Sequence, residues 1–346
     1  MIPQPQVRHD QAPVTESDLL LQVRDLRTYF RLDEGMLKAV DGISFNVYRN
    51  RVLGMVGESG CGKSVTAQSI LQIVPKPGVV QGEMLWHRDG QTVDIGGLDP
   101  ESEEMRAIRG NEIAMIFQEP MTAFSPVHTV GNQLMEAYFV HGKLDEAEAR
   151  ARAVELLDLV GIPAADRRVD EYTFQLSGGM RQRAMIAMAM MNRPRMLIAD
   201  EPTTALDVTI QAQILRLIRR LQAETGAAVL FISHNLGAVA NLANDVAVMY
   251  RGKIVEFGTV RQVLKNPQHP YTVALLQSIP GFGYRRGDRL QSIRGSVGVP
   301  IDPPDECPFR GRCDRFDPAL CGGSMPASVE VEPGHQVACV LYEARS

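Results

Sequence analysis

Short apolar runs bounded by turn residues set the rhythm of this chain. Leu19 to Val47 shows alternating, β-rich patches, which predicts an antiparallel sheet with a hairpin turn at Arg31-Leu-Asp-Glu-Gly-Met36. Val52 to Val56, Met196 to Ala199 and Ala227 to Ser233 are almost continuously apolar and predict buried strands. Arg251-Gly252 is expected to turn a hairpin between Val246 to Tyr250 and Lys253 to Phe257. Between Glu119 and Gln175 the period becomes helical, and Asp145 to Val160 presents an apolar side at Val154, Leu157 and Val160. A further helix is expected near Val208 to Ala223. After about Arg261 the Pro and Gly content rises, and Asn266-Pro-Gln-His-Pro-Tyr-Thr272 introduces a short helix that ends before Pro280.

Gly57-Glu-Ser-Gly-Cys-Gly-Lys-Ser64 follows the first buried strand and fits G-x-x-x-x-G-K-[ST]. Gly57, Gly60 and Gly62 permit a tight turn whose N–H groups face phosphate oxygens, and a helix starting near Lys63 aims its positive end at the same place. Lys63 is expected to reach the β- and γ-phosphates of ATP, and Ser64 to ligate Mg²⁺. Ser59, Cys61 and Val65 complete the cradle, with Cys61 read as a small filler and not as a redox residue. A second strand ends in Asp200-Glu201, at the sheet edge where ligands of open α/β folds bind. Asp200 is placed to hold Mg²⁺, and Glu201 to polarise attacking water as general base.

Between these motifs in sequence lies Leu176-Ser-Gly-Gly-Met-Arg-Gln-Arg183, which resembles the signature of ATP-binding cassette proteins, with Met180 in place of the usual Gln. The resemblance implies an α/β P-loop ATPase core with an antiparallel β subdomain and an inserted helical subdomain at about 119–178. It also implies a head-to-tail pair of cassettes, each ATP lying between one subunit's phosphate loop and the other's signature. Ser177 would begin a helix running through Ala184 to Met191, so that its hydroxyl, the Gly178 and Gly179 amides and the helix dipole meet a γ-phosphate. Gln118 matches the family's Mg²⁺-sensing glutamine, Ala205-Leu-Asp207 its interface loop, and His234 its switch histidine. Asn235 replaces the Asp common after that histidine, and Thr173-Phe174 stand where the family often has Pro-His. For adenine stacking Phe30 aligns best, with Tyr29 the nearby competitor.

Composition narrows the setting. A net charge of −5 over 346 residues offers no global basic field for nucleic acid. Met1 to Ser17 is polar and reads as a flexible arm, not a targeting segment. No apolar run approaches the roughly 18 residues of a spanning helix, so membrane work falls to separate subunits.

Residues 261–346 resemble the C-terminal extension of oligopeptide and dipeptide importer ATPases, which leaves 18–260 as the ATPase domain. Cys307, Cys313, Cys321 and Cys339 form a C-x₅-C-x₇-C-x₁₇-C series there. Spacing alone favours Zn²⁺, the family resemblance favours a four-iron four-sulfur cluster, and unligated thiols are the third reading. The extension is therefore expected to be a small loop-rich metal-binding domain. Its role is expected to be structural, because it lies far in sequence from every nucleotide motif, and His335 reads as a surface residue or a substitute ligand. The family's partners would be two transmembrane permease subunits, a second ATPase (paralogue or another copy) and an extracytoplasmic substrate-binding protein. Its place is the cytoplasmic face of the inner membrane, as a peripheral subunit.

Overall fold

The computed structural model describes residues 15–119, 123–142, 145–204, 206–279 and 293–343. Most of the expected N-terminal arm, together with Ala205, lies outside them, while Glu16–Asp18 forms one 3₁₀ turn. In chain order the strands are β1 (Leu19–Leu32), β2 (Gly35–Tyr48), β3 (Val52–Val56), β4 (Gly78–Arg88), β5 (Gln91–Asp94), β6 (Ile113–Ile116), β7 (Met196–Asp200), β8 (Ala228–Ser233), β9 (Asp245–Tyr250), β10 (Lys253–Thr259), β11 (Val329–Glu332) and β12 (His335–Val337). Two compact units form, one from residues 15–47, 52–97 and 232–343, the other from 48–51 and 98–231.

The first unit holds a four-stranded sheet in the order β2-β1-β4-β5. β1 runs antiparallel to β4 with Leu21 opposite Trp86, and the fully buried Leu21, Met84 and Trp86 supply part of its core. The register slips between Arg24 and Arg27, where Asp25 takes a positive φ, so the strand bulges. In the same unit all five residues of β3 are buried, and β3 runs parallel to β9. Burial on both faces explains why β3 is apolar without alternation.

The C-terminal extension departs from the loop-rich expectation. β12 pairs antiparallel with β10, and β11 with β12, so the extension covers an edge whose N–H and C=O groups would otherwise stand open. His335 lies in β12 and is fully buried, with Nε2 and Glu256 Oε1 2.8 Å apart, which corrects its reading as a surface residue. Glu256 is itself buried and also accepts from the backbone N–H groups of Gln268 at 2.8 Å and His269 at 2.9 Å. Desolvation holds the His269 imidazole down at about 4, against the pull of Glu256.

The second unit pairs β6 parallel to β7, with β8 next in order. Every residue of β7 and β8 is buried. Helices Val130–Phe139, Glu146–Leu159 and Ala165–Arg168 fall in the expected insertion. Asp145 caps the second of these by accepting from Glu148 N–H at 2.9 Å. Its buried side is Ala149, Ala153, Leu156 and Leu157, while Val154 sits only at the rim. The small alanines allow close helix packing, a contribution that a search for large apolar residues overlooks.

Candidate functional site

In the first unit, the phosphate loop is pressed against neighbouring backbone. A Cβ on Gly57 would lie 2.1 Å from Met249 O, and one on Gly62 2.2 Å from Ala39 O. Gly62 also holds φ at +108°, so sterics and backbone conformation both demand glycine there. Helix Lys63–Ile70 begins directly after it, and Thr66 donates to Gly62 O from its amide at 2.9 Å and its hydroxyl at 3.0 Å. Ser59 and Gly60 are exposed at the crest, while Ser64 and Val65 are half-buried in the first helical turn.

Lys63 is only 4 % exposed, and its ammonium donates to the carbonyls of Gly57 at 2.9 Å and Glu58 at 3.1 Å. These contacts hold the cation inside the curve of the loop. Cys61 is fully buried with Sγ 3.7 Å from Lys63 Nζ, and burial pushes its thiol up against the opposing pull of that cation. That surrounding agrees with a filler.

Phe30 stands opposite Gly78 in the β1–β4 register, and its ring would meet a Cβ there at 2.7 Å. Tyr29 is otherwise engaged: its hydroxyl donates to Asp41, and Lys38 Nζ lies 5.7 Å from its ring centroid. His234 is exposed just beyond β8. Asn235 caps the following helix, accepting from Gly237 N–H at 2.9 Å and Ala238 N–H at 3.2 Å. The amide side chain thus performs the capping that Asp could perform without charge.

In the second unit, Asp200 ends β7 and is 4 % exposed, and Glu201 follows with a positive φ of 45°. That backbone turn is costly for a non-glycine residue and redirects the carboxylate out of the strand. Glu201 Oε2 accepts from Thr204 Oγ1 at 2.8 Å and, at the long distance of 3.4 Å, from Gln118 Nε2. The structure therefore brings together two residues 83 positions apart, Glu201 read from its strand end and Gln118 read only from resemblance.

Ser177 caps helix Gly178–Ala189, its hydroxyl accepting from Met180 N–H at 3.3 Å. Asp207 likewise caps helix Val208–Thr225, accepting from Thr209 and Ile210 N–H groups at 3.0 Å each. Ser177, Gly178 and Asp207 are exposed, and a Cβ on Gly179 would touch Ile210 at 3.4 Å. Two helix starts thus lie side by side, and the N-terminus of the first, with its glycine amides, is suited to an anion.

The four C-terminal cysteines, scattered over 33 residues, line one pocket in the first unit together with Phe309, Phe316 and Leu341. None forms a disulfide. Burial pushes the thiols of Cys307 and Cys313 up, and that of Cys339 up to about 11. Among the described residues, no group of three or more His, Cys, Asp or Glu side chains is arranged to hold a metal ion.

Arg312 and Glu58 went unremarked in the sequence. Arg312, between Cys307 and Cys313, forms a forked pair with Glu58 of the phosphate loop: Nη1 to Oε2 at 2.7 Å and Nη2 to Oε1 at 3.0 Å. No spacing rule signals a pair 254 residues apart. It sets one residue of the cysteine segment, far away in sequence, against the phosphate loop.

Residues 40–204 match the ABC transporter model, and residues 255–321 match the model of the oligopeptide/dipeptide transporter C-terminal region. The chain is 50 % identical to a probable peptide ABC transporter ATP-binding protein of Sinorhizobium fredii, over 94 % of this chain and 95 % of that one. It is 45 % identical to the dipeptide transport ATP-binding protein DppD of Bacillus subtilis, over 94 % and 96 % of the two chains. Among solved structures, it resembles cbiO1 from Clostridium perfringens, described as part of the ABC transporter complex cbiONQ, with a TM-score of 0.58, 27 % identity, and coverage of 72 % of this chain and 92 % of that one. The chain belongs to the ATP-binding subunits of ABC transporters, in the branch that carries the oligopeptide/dipeptide transporter C-terminal region.

Proposed function

We propose that this chain hydrolyses ATP to power import of di- or oligopeptides through a membrane ABC transporter. The observation that carries the reading is the likeness to peptide-transport ATP-binding proteins along 94 % of the chain, which extends through the C-terminal region as well as the cassette. Among the described residues no helix is long and apolar enough to cross a membrane, so translocation requires separate permease subunits. Two of these, a second ATPase that is a paralogue or another copy, and an extracytoplasmic binding protein complete the assembly at the cytoplasmic face of the inner membrane. Exposed apolar groups support docking on the helical insertion: Tyr172 and Phe174 stack with ring centroids 5.5 Å apart, and Phe174 is 62 % exposed.

In this reading Lys63 and the amides of the loop from Gly57 to Ser64 hold the ATP phosphates, and Phe30 stacks on adenine. Ser64, Asp200 and Gln118 serve Mg²⁺. Glu201 takes the proton of the attacking water, with Thr204 fixing its carboxylate at 2.8 Å, and His234 meets the γ-phosphate. Ser177, Gly178 and Gly179 receive the γ-phosphate held by the partner ATPase, with Asp207 at the interface between the two. ATP favours the closed pair and hydrolysis releases it, because nucleotide binds the two conformations with different affinity.

For the cysteines, the convergence of four free thiols on one pocket and the resemblance of the extension to that of peptide importer ATPases support a four-iron four-sulfur cluster, with Zn²⁺ as the alternative. Such a group, held by Cys307, Cys313, Cys321 and Cys339, would cross-link the extension once the thiol protons are displaced. Iron and acid-labile sulfide analysis of anaerobically purified protein separates it from zinc.

Reconstitution with the permease subunits and binding protein in liposomes tests the function. Peptide uptake that requires ATP and is matched by stimulated phosphate release is expected. Uptake of nickel or oligosaccharide with no response to peptide would overturn the peptide assignment and move the cargo to that substrate.

A further inference from the structure

The cysteine pocket touches the phosphate loop through one side chain. Arg312 is 9 % exposed and clamps the Glu58 carboxylate with both guanidinium nitrogens, while its Nε donates to Arg294 O at 2.6 Å. Nη1 also reaches Tyr250 Oη at 3.2 Å. The amide of the same Glu58 donates to Tyr271 Oη at 2.9 Å, and its carbonyl accepts from Lys63 at 3.1 Å. Every polar group of this loop residue is therefore engaged, two of them by the C-terminal extension.

The other end of the linkage is the thiol pocket. Arg312 N–H donates to Phe309 O at 2.9 Å, Cys313 N–H to Arg310 O at 3.4 Å, and Arg310 N–H to Cys307 O at 3.1 Å, so the turn between the two cysteines is one hydrogen-bonded unit. Phe309, 2 % exposed, lines the pocket and packs against Tyr250 and Tyr271 with ring centroids 5.3 Å from each. Ordering the cysteines thus orders the arginine and the aromatic wall behind the loop.

Electrostatics gives the linkage a consequence. Glu58 places a carboxylate within a loop built to receive a triphosphate, and a carboxylate left unpaired there repels the incoming anion. A forked Arg pair cancels the charge and fixes its direction, which a lysine would do less well.

We propose that Arg312 is a positioning residue for the phosphate loop, and that through its grip on Glu58 the order of the four-thiol pocket sets the loop's affinity for ATP. The proposal rests on the reading of Gly57 to Ser64 as the ATP site. It assigns the extension a role in nucleotide binding, where the sequence suggested structure alone.

The test is equilibrium binding of MgATP to the full chain, with thermal melts to confirm that each variant is folded at the temperature used. Arg312→Met should weaken ATP binding about fivefold or more, a coupling of ordinary allosteric size. Glu58→Gln, added to Arg312→Met, should restore most of the loss, because the repelling charge is gone. Arg312→Lys should fall between wild type and Arg312→Met. Cys313→Ser should weaken ATP binding when Arg312 and Glu58 are present and have little effect in the Arg312→Met/Glu58→Gln background. A wild-type chain that binds no ATP would overturn the reading of the loop itself. Wild-type affinity in folded Arg312→Met, or a double variant weaker than the single one, would overturn the positioning role. An equal Cys313→Ser effect in both backgrounds would overturn the transmission from the thiol pocket.

Discussion

The phosphate loop and the cysteine-rich extension achieve order by opposite means. From Gly57 to Ser64 a contiguous octet carries its own geometry: its glycines permit close backbone approach, and Lys63 is held by carbonyls of the same loop. The extension has no such contiguity. Four cysteines meet from separate stretches, β12 attaches to β10 and β11 to β12, and a buried Glu256 gathers His335 and two backbone amides from distant positions. A local motif works through backbone conformation, whereas an assembled one depends on every long-range partner being present.

The most damaging change to the local site is removal of its cation. Lys63→Ala should weaken MgATP binding on the order of a hundredfold, by loss of charge-assisted hydrogen bonds to phosphate, while the melting temperature changes much less. Isothermal titration reads the affinity; retained tight binding would break the parallel between motif and function. In the extension, the comparable change is Glu256→Leu, which leaves buried donors of Gln268, His269 and His335 without an acceptor. It should cost about 3 kcal/mol or more of stability, read by denaturant unfolding, and hydrogen exchange should locate the loosening in β10 to β12. Gly62→Ala sharpens the contrast, since a single methyl in the loop meets Ala39 O. A loss of about 1–2 kcal/mol from the positive φ alone is expected, with further loss from the clash, accompanied by weakened ATP binding. Normal nucleotide affinity in that variant would show that the loop tolerates a shape other than this one.

The same contrast governs what the sequence disclosed. Ser177 was legible because a helix cap is a local rule, and its side chain does accept from the amide three residues ahead; the capping by Asp207 was not read, because that residue was reached only through the family's interface loop. β3, β7 and β8 were legible because burial on both faces leaves continuous apolar runs. His335 was misread as a surface residue, because nothing near it in sequence announces the carboxylate 79 residues away. β11 and β12 were missed among prolines and glycines because strands of four and three residues carry too little periodicity. Arg312 had no signal at all: an arginine in a polar turn reads as solvated charge until the fold sets it against Glu58.

The proposed turnover of ATP with Glu201 as the base is addressed most directly by one substitution. Glu201→Gln keeps the shape and the hydrogen-bond acceptor while removing the basic carboxylate. In the assembled transporter, measured for bound ATP and released phosphate on the same sample, it should hold ATP as tightly as wild type or more so and slow phosphate release by about 10²–10⁴-fold. Phosphate release near the wild-type rate would contradict the assignment.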